Sequence, residues 1–299
     1  MRTVVIGACS TWRDYSFVSP LAALLWREVV GYEPHWYLIG TEADWETPKR
    51  NITVRAAFGL WGLGYTRVDP IEGYEVGTQA QNIRQHAAAE LRWNAEDWLM
   101  TTDADLFPMK RDFYHAHEGC SSRVVSYYSN GNNFISKDNV LAIAARQGEY
   151  QDLPTCHIAM RARTWRDLYG NDGMAPRDSM KRVLDAWLKP RQEGKKPSDA
   201  SWQAWMSDQR ITTEKLCRAD WFPQEALLIE RKGQPPVDRL DRAHPSDWSL
   251  PMSQWQDCHT IRPADQDPHW AKVRPIFTHL VPSFMGRIDA YREAFIAGY

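Results

Sequence analysis

By type and spacing, Asp103 and Asp105 are the residues of this sequence best placed to do chemistry. They follow the apolar run Trp98-Leu-Met-Thr-Thr102 and precede Leu106-Phe-Pro108. A short apolar run bounded by charge and proline reads as an interior strand of a mostly parallel sheet. Open α/β sheets bind ligands beyond the carboxyl ends of their strands, so the two acids stand where ligands go. Carboxylates at i and i+2 can share one hard divalent cation, one by direct oxygen ligation and the other through its water shell. A cation held that way also accepts the oxygens of a diphosphate. The competing reading of the same residues is a solvated turn at a strand end.

The elements that must position this pair follow from periodicity. Residues 2–7 read as a first strand ending in the small-residue loop Ala8-Cys9-Ser10. A helix over 18–30 carries Leu21, Leu24, Leu25 and Val29 on one face, and 35–40 is a second strand running into Thr41. This β-α-β opening predicts a right-handed crossover and a parallel pair. No G-x-G-x-x-G follows the first strand, which speaks against a dinucleotide-binding dehydrogenase. The glycine- and aromatic-rich residues 58–77 read as a loop. A helix over 78–93, capped by Thr78, turns Ile83, Ala87 and Leu91 to one side, with Arg84 beside that line. After the acid pair come a short helix over 110–117, a strand over 123–128, a turn over 129–133, a helix over 138–147 and a strand over 155–161, with a helix starting at Thr164. One helix over 198–211 carries Trp202, Trp205 and Gln209 on a shared face. Strands over 217–222 and 226–230 lead into a long proline- and aromatic-rich loop, 233–275. A last strand over 275–280 contains His279, and a final helix from Ser283 docks through Phe284, Ile288, Tyr291 and Phe295.

The apolar strand, the acid pair and the following hydrophobic-proline step resemble the Asp-x-Asp signature of GT-A fold, nucleotide-sugar-dependent glycosyltransferases. The resemblance covers the chain in pattern and order of elements. It implies a single GT-A type α/β domain with a Rossmann-like, mostly parallel central sheet and a C-terminal acceptor-side extension. Residues 1–109 would be its nucleotide-sugar half and 110–299 its acceptor half. It further implies that Ala8, Cys9 and Thr41 neighbour the nucleoside, that Arg84 approaches the diphosphate, and that Asp103 contacts ribose or metal-bound water while Asp105 ligates the metal. The Ser207-Asp208-Gln209 step resembles the element such enzymes place against the sugar. Asp208 would deprotonate an acceptor hydroxyl or bind donor hydroxyls, and Gln209 would sit at the donor. His157 and Trp205 would line the sugar or acceptor pocket, as would His259. The late His279 resembles a third metal ligand, with His259 in Asp257-Cys-His259 the other candidate. Two carboxylates and an imidazole favour Mn2+ over Mg2+, since imidazole is the softer ligand.

Composition narrows the alternatives. The 299 residues are 43% hydrophobic and 25% charged with a formal charge of −2, which excludes a global electrostatic grip on nucleic acid or membrane. The one basic cluster, 177–196, is where a polyanionic acceptor would touch, and it leaves modification of a nucleic-acid base as a minority option. Five cysteines without a CxxC pair read as free thiols of a cytoplasmic protein. No run reaches the roughly 18 apolar residues of a membrane span. Two other classes stay open. An NDP-sugar nucleotidyltransferase would carry a glycine-rich, basic loop after the first strand. A non-catalytic carbohydrate-binding protein would use the 15 tryptophans as platforms.

Overall fold

A computed structural model of the chain describes residues 1–127, 153–229, 239–249 and 251–298. In chain order these form β1 (Thr3–Ser10), a single helical turn (Arg13–Ser16), α1 (Ser19–Leu25, continued by a π-helical turn, Trp26–Val30), β2 (Glu33–Ile39), α2 (Glu42–Glu46), α3 (Lys49–Leu60) and β3 (Gly64–Val68). Next come α4 (Val76–His86), β4 (Trp98–Thr101), β5 (Leu106–Pro108), β6 (Val124–Tyr127), β7 (Ile158–Arg161), α5 (Ala162–Tyr169), α6 (Pro176–Gln192), α7 (Pro197–Trp205) and α8 (Ser207–Cys217). The chain closes with β8 (Ala226–Ile229), β9 (Arg239–Asp241), β10 (Asp257–His259), α9 (Asp267–Leu280) and α10 (Met285–Ile296). The fold is α/β and its main-sheet strands are mostly parallel. Among the described residues no helix is long and apolar enough to cross a membrane.

The chain divides into two compact units interleaved in sequence. Unit I is Val4–Pro70, Asp103–His115 and Lys232–Tyr299; unit II is Met1–Thr3, Ile71–Thr102 and Ala116–Arg231.

In unit I, β1 pairs in parallel with β2, and β2 with β3, as the β-α-β opening predicts. Val4, Val5, Ile6, Trp36 and Leu38 are fully buried, as expected of strands covered on both faces. Gly7 faces its register partner Trp36, and a Cβ there would fall 2.2 Å from the indole Cε2, so only glycine fits. The helix α10 docks as its apolar spacing predicts. Ile288, Tyr291 and Phe295 are buried, Tyr291 stacks on Phe17 at 5.3 Å and its hydroxyl donates to the Phe17 carbonyl at 2.8 Å. A second sheet, in the order β5-β10-β9, also belongs to this unit.

In unit II the order is β4-β7-β6-β8, with β7 antiparallel to both neighbours and β8 parallel to β6. The helix α4 buries Ile83 and, just past its end, Ala87, but it starts one turn after Gly73, with Thr78 inside it and Leu91 71% exposed beyond it. His86 is fully buried there. Its Nδ1 lies 2.7 Å from the Ser179 hydroxyl and its ring meets Tyr169 edge-on at 4.8 Å. Burial, helped by the charges of Lys215 and Arg182, pushes its pKa down to about 3. The unfolded chain takes up this proton near pH 6.5 and the folded chain does not, so the stability contributed is complete above that value and is lost as pH falls towards 3. The slope is about 1.4 kcal/mol per pH unit, so about 2 kcal/mol disappears between pH 7 and 5. Urea melts of the wild type and of His86→Gln at both values check this. The wild type should lose about 2 kcal/mol more than the variant, and parallel losses would remove His86 as the cause.

Several expected elements change when long-range packing decides. Residues 58–77 hold the end of α3 and all of β3 in place of a loop, because Phe58 and Val68 are buried. The expected helix 198–211 is two helices meeting at Met206. Residues 217–222 are helix end and turns, with no strand, and the short helix expected over 110–117 shrinks to one turn, Asp112–His115. The stretch 233–275 contains β9, β10 and the start of α9. Residues 275–280 are the end of α9, not a strand, since Trp270, Val273, Ile276 and Phe277 bury one helical face despite Pro275. The turn over 129–133 and the helix over 138–147 lie outside the described residues.

Candidate functional site

The chain leaves β4 at Thr101 and enters β5 at Leu106, and the tight turn between them presents Asp103 and Asp105. Asp103 is half-buried, while Asp105 is 3% exposed. What surrounds Asp105 is set by the small sheet of unit I. The antiparallel register of β10 on β5 places His259 opposite Leu106, and the Thr260 amide donates to the Asp105 carbonyl at 3.0 Å. The parallel register of β9 on β10 places Asp241 opposite His259. Three neighbouring strands therefore set Asp105, His259 and Asp241 in a row.

The row is charged and tightly bonded. His259 Nε2 lies 3.3 Å from Asp105 Oδ2, and His259 Nδ1 lies 3.3 Å from Asp241 Oδ2. Arg242 Nη1 donates to Asp105 Oδ2 at 2.5 Å and Arg262 Nε stands 3.6 Å from the same oxygen. The Arg262 guanidinium lies over the Tyr15 ring at 4.6 Å, which holds its plane. Behind it Arg13 reaches the fully buried Asp265 through both Nε and Nη2. Burial pushes the Asp105 carboxyl up, but the His259 hydrogen bond and the charges of His259, Arg242 and Arg262 outweigh burial and hold it well below the usual carboxylate range. Asp241 is brought down to about 2, where the His259 bond and the Ala243 amide overcome burial. His259 itself is raised, because its bonds to the two carboxylates outweigh its burial.

A divalent cation fits the donor chemistry here. Two ligands of one ion, each about 2.1 Å from it, stand about 3.0–3.4 Å apart at the angles metals prefer, and His259 Nε2 and Asp105 Oδ2 are 3.3 Å apart. Among the described residues no three such side chains are already gathered at ligating distance. Asp103 would have to turn in, and Arg242 would have to yield its hold on Asp105 Oδ2.

The other residues singled out from sequence fall in varied places. Ala8 and Cys9 lie inside β1, not in a loop after it. Both are buried, and burial pushes the Cys9 thiol up to about 12. Thr41 is exposed at the end of β2, where it caps α2: its hydroxyl accepts from the Asp44 amide at 3.2 Å, and its own amide donates to the Asp44 carboxylate at 2.8 Å. His279 sits on the exposed side of α9, and the described partners of Asp105 do not include it.

In unit II, Arg84 and Asp208 find each other. Arg84 Nη2 donates to Asp208 Oδ2 at 2.9 Å, and Nη1 donates to the Thr102 carbonyl at 2.7 Å. The Thr155 hydroxyl donates to the same Asp208 oxygen at 2.6 Å. Both charged groups are almost fully buried, at 4% and 2% exposure. Arg84 is thus a buried tie in place of a free phosphate-binding cation, and Asp208 has no open face toward an acceptor hydroxyl. Gln209 is half-buried one residue on. His157 is completely buried in a 3-10 turn ahead of β7, so it lines no open pocket, while Trp205 is 41% exposed at the end of α7.

Sequence reasoning missed Arg242, Arg262, Tyr15 and Asp241. The only local signal was the density of charge near His259, because the pairing of β5 with β10 joins segments about 150 residues apart and leaves no short-range pattern.

No family model matches the sequence, and no curated protein matches it. Solved structures do match. The galactosyltransferase LgtC in complex with donor and acceptor sugar analogs is 12% identical, with 94% of this chain and 95% of that one covered at a TM-score of 0.50. A glycosyltransferase involved in glycosylation of the major capsid of PBCV-1 is 9% identical, with 92% and 98% covered at a TM-score of 0.41. At such identities the likeness is one of fold, and the fold it shows is that of the GT-A nucleotide-sugar glycosyltransferases.

Proposed function

We propose that the chain is a glycosyltransferase that moves a sugar from a nucleoside-diphosphate sugar to a hydroxyl of a glycan or other polymer, with a divalent cation, Mn2+ or Mg2+, as cofactor. The observation that carries this reading is the buried Asp105 carboxylate held by His259, Arg242 and Arg262, on a GT-A fold. Asp105 and His259 would hold the cation, with Asp103 as third donor, and the bound ion would take up charge on the departing diphosphate. Arg242 and Arg262 supply planar guanidinium groups beside it, which suit phosphate oxygens. When His259 is neutral, the two guanidinium groups balance Asp105 and Asp241, so an added dication leaves an excess of positive charge for a diphosphate. Thr41, at the carboxyl end of β2, stands on the nucleoside side. Asp208 and Gln209 open α8, where Asp208 is held by Arg84 and Thr155.

The nucleotidyltransferase alternative loses its main requirement. The residue that would serve as the basic group after β1, Arg13, is committed to Asp265.

Calorimetric titration with UDP, GDP, ADP and CDP, each in Mn2+ and in EDTA, tests the proposal. At least one nucleotide should bind ten-fold or more tightly with metal, and the matching NDP-sugar should be hydrolysed only in its presence. No metal-dependent binding across all four would overturn the reading.

A further inference from the structure

Unit II contains a cavity of about 800 Å3 that the proposed chemistry does not use. It lies among the end of α5, one face of α6 and the last two turns of α8. Its wall carries four cationic residues, Arg182, Arg191, Lys215 and Arg218, against two acids, Asp167 and Glu214. Trp187 and Trp221 add aromatic surface.

The acids do not balance the cations evenly. Glu214 accepts from the Trp187 indole at 2.7 Å and pairs with Arg218 at 2.5 Å and Arg191 at 3.5 Å. Asp167 is exposed. Arg182 donates to the Tyr169 and Gly170 carbonyls, and Lys215 donates to the Leu168 carbonyl at 3.2 Å and lies over the Tyr169 ring at 4.9 Å. These contacts cap the end of α5. They involve backbone and ring only, and among the described residues no carboxylate lies within ion-pair distance of Lys215. Burial and the neighbouring charge of Arg182 lower the Lys215 pKa, as expected for an ammonium short of a counter-anion. Helix capping alone accounts for the carbonyl bonds but not for a cavity of this volume beside them.

We propose that this cavity binds an anionic saccharide, its carboxylate or sulfate groups against Lys215 and Arg182 and its ring faces against Trp187 and Trp221. Cations recognise the acidic groups, and the apolar faces of pyranose rings pack on indole. The choice of a saccharide over other anions rests on the glycosyltransferase reading, which makes the cavity a docking site for an acidic acceptor chain.

The test leaves the α5 cap intact. Ala186 is exposed on α6 and lines the cavity, so Ala186→Glu adds a negative charge there without removing any bond, and Ala186→Gln is the neutral control of similar size. Binding of tetragalacturonate and of neutral maltotetraose is followed by tryptophan fluorescence and calorimetry, in EDTA and at low salt. Tetragalacturonate should bind at least ten-fold more tightly than maltotetraose. Ala186→Glu should erase at least ten-fold of its affinity, and Ala186→Gln should retain it. Equal affinities for the two sugars, or identical behaviour of the two variants, would overturn the proposal. Metal-dependent NDP-sugar hydrolysis is measured on the same samples and should not change with Ala186→Glu. Failure of the wild type to bind tetragalacturonate while it hydrolyses the NDP-sugar sinks the pocket alone, whereas saccharide binding with no hydrolysis in any sample, wild type included, sinks the glycosyltransferase reading.

Discussion

Asp105→Asn should abolish metal-dependent nucleotide binding and lower NDP-sugar hydrolysis by about 1,000-fold, the equivalent of about 4 kcal/mol of lost stabilisation. The substitution keeps the shape of the side chain and removes its charge, which is the property the cation needs. It also leaves Arg242, Arg262 and His259 together without their shared anion. All three are less than a third exposed, at 27%, 22% and 21% of their side-chain surface, so solvent screens the loss only in part. Removing one partner of such a cluster costs about 3 kcal/mol or more. For a chain of this size that is a fall in Tm of roughly 6–12 °C. The two effects are separable, because binding can be measured well below the lowered Tm. Wild-type metal-dependent nucleotide affinity in a folded Asp105→Asn sample would mean that the site is elsewhere.

The second large effect belongs to Arg84. Arg84→Met should destabilise the protein by about 3–5 kcal/mol, because it removes the cation that pairs with the buried Asp208 carboxylate at 2.9 Å. Asp208→Asn alone should cost less, since an amide oxygen can still accept from Arg84 and Thr155. The double variant Arg84→Met/Asp208→Asn should recover part of the loss of Arg84→Met, as replacing both partners relieves the uncompensated charge. Urea melts of the four proteins give the coupling energy. A coupling near zero would show that the 2.9 Å contact contributes nothing. Activity separates position from chemistry. If Asp208 acts by holding the start of α8 in place through Arg84 and Thr155, Arg84→Met should raise KM for the sugar donor along with its structural cost. A catalytic base would instead lose kcat in Asp208→Asn with stability nearly unchanged.

The two carboxylates illustrate how differently a one-dimensional pattern constrains fold and site. Asp103-x-Asp105 was readable because an apolar strand followed by acids and a proline is a local arrangement, complete within 11 residues. The same is true of the β1-α1-β2 opening and of the Ile288, Tyr291 and Phe295 stripe that docks α10, whose periodicities report burial directly. Where propensity and packing disagree, packing prevailed. Residues 275–280 read as a last strand, yet four buried side chains at helical spacing made them part of α9.

From the sequence alone came the fold class, the place of the acid pair at a strand end, and the short roster of residues with the right chemistry. The tertiary structure alone decided which of them meet. His259 stands at Asp105 and His279 does not, because β10 pairs with β5 while α9 turns His279 outward. Arg84 and Asp208, expected to face ligands separately, neutralise each other, because burying either charge alone would cost several kcal/mol. Arg242, Arg262 and Asp241 join the acid through strand registers that no local spacing encodes. The physical reason is common to all three cases. Hydrophobic periodicity acts over a few residues and is written along the chain, whereas charge pairing acts across space and is settled only once distant strands are in register.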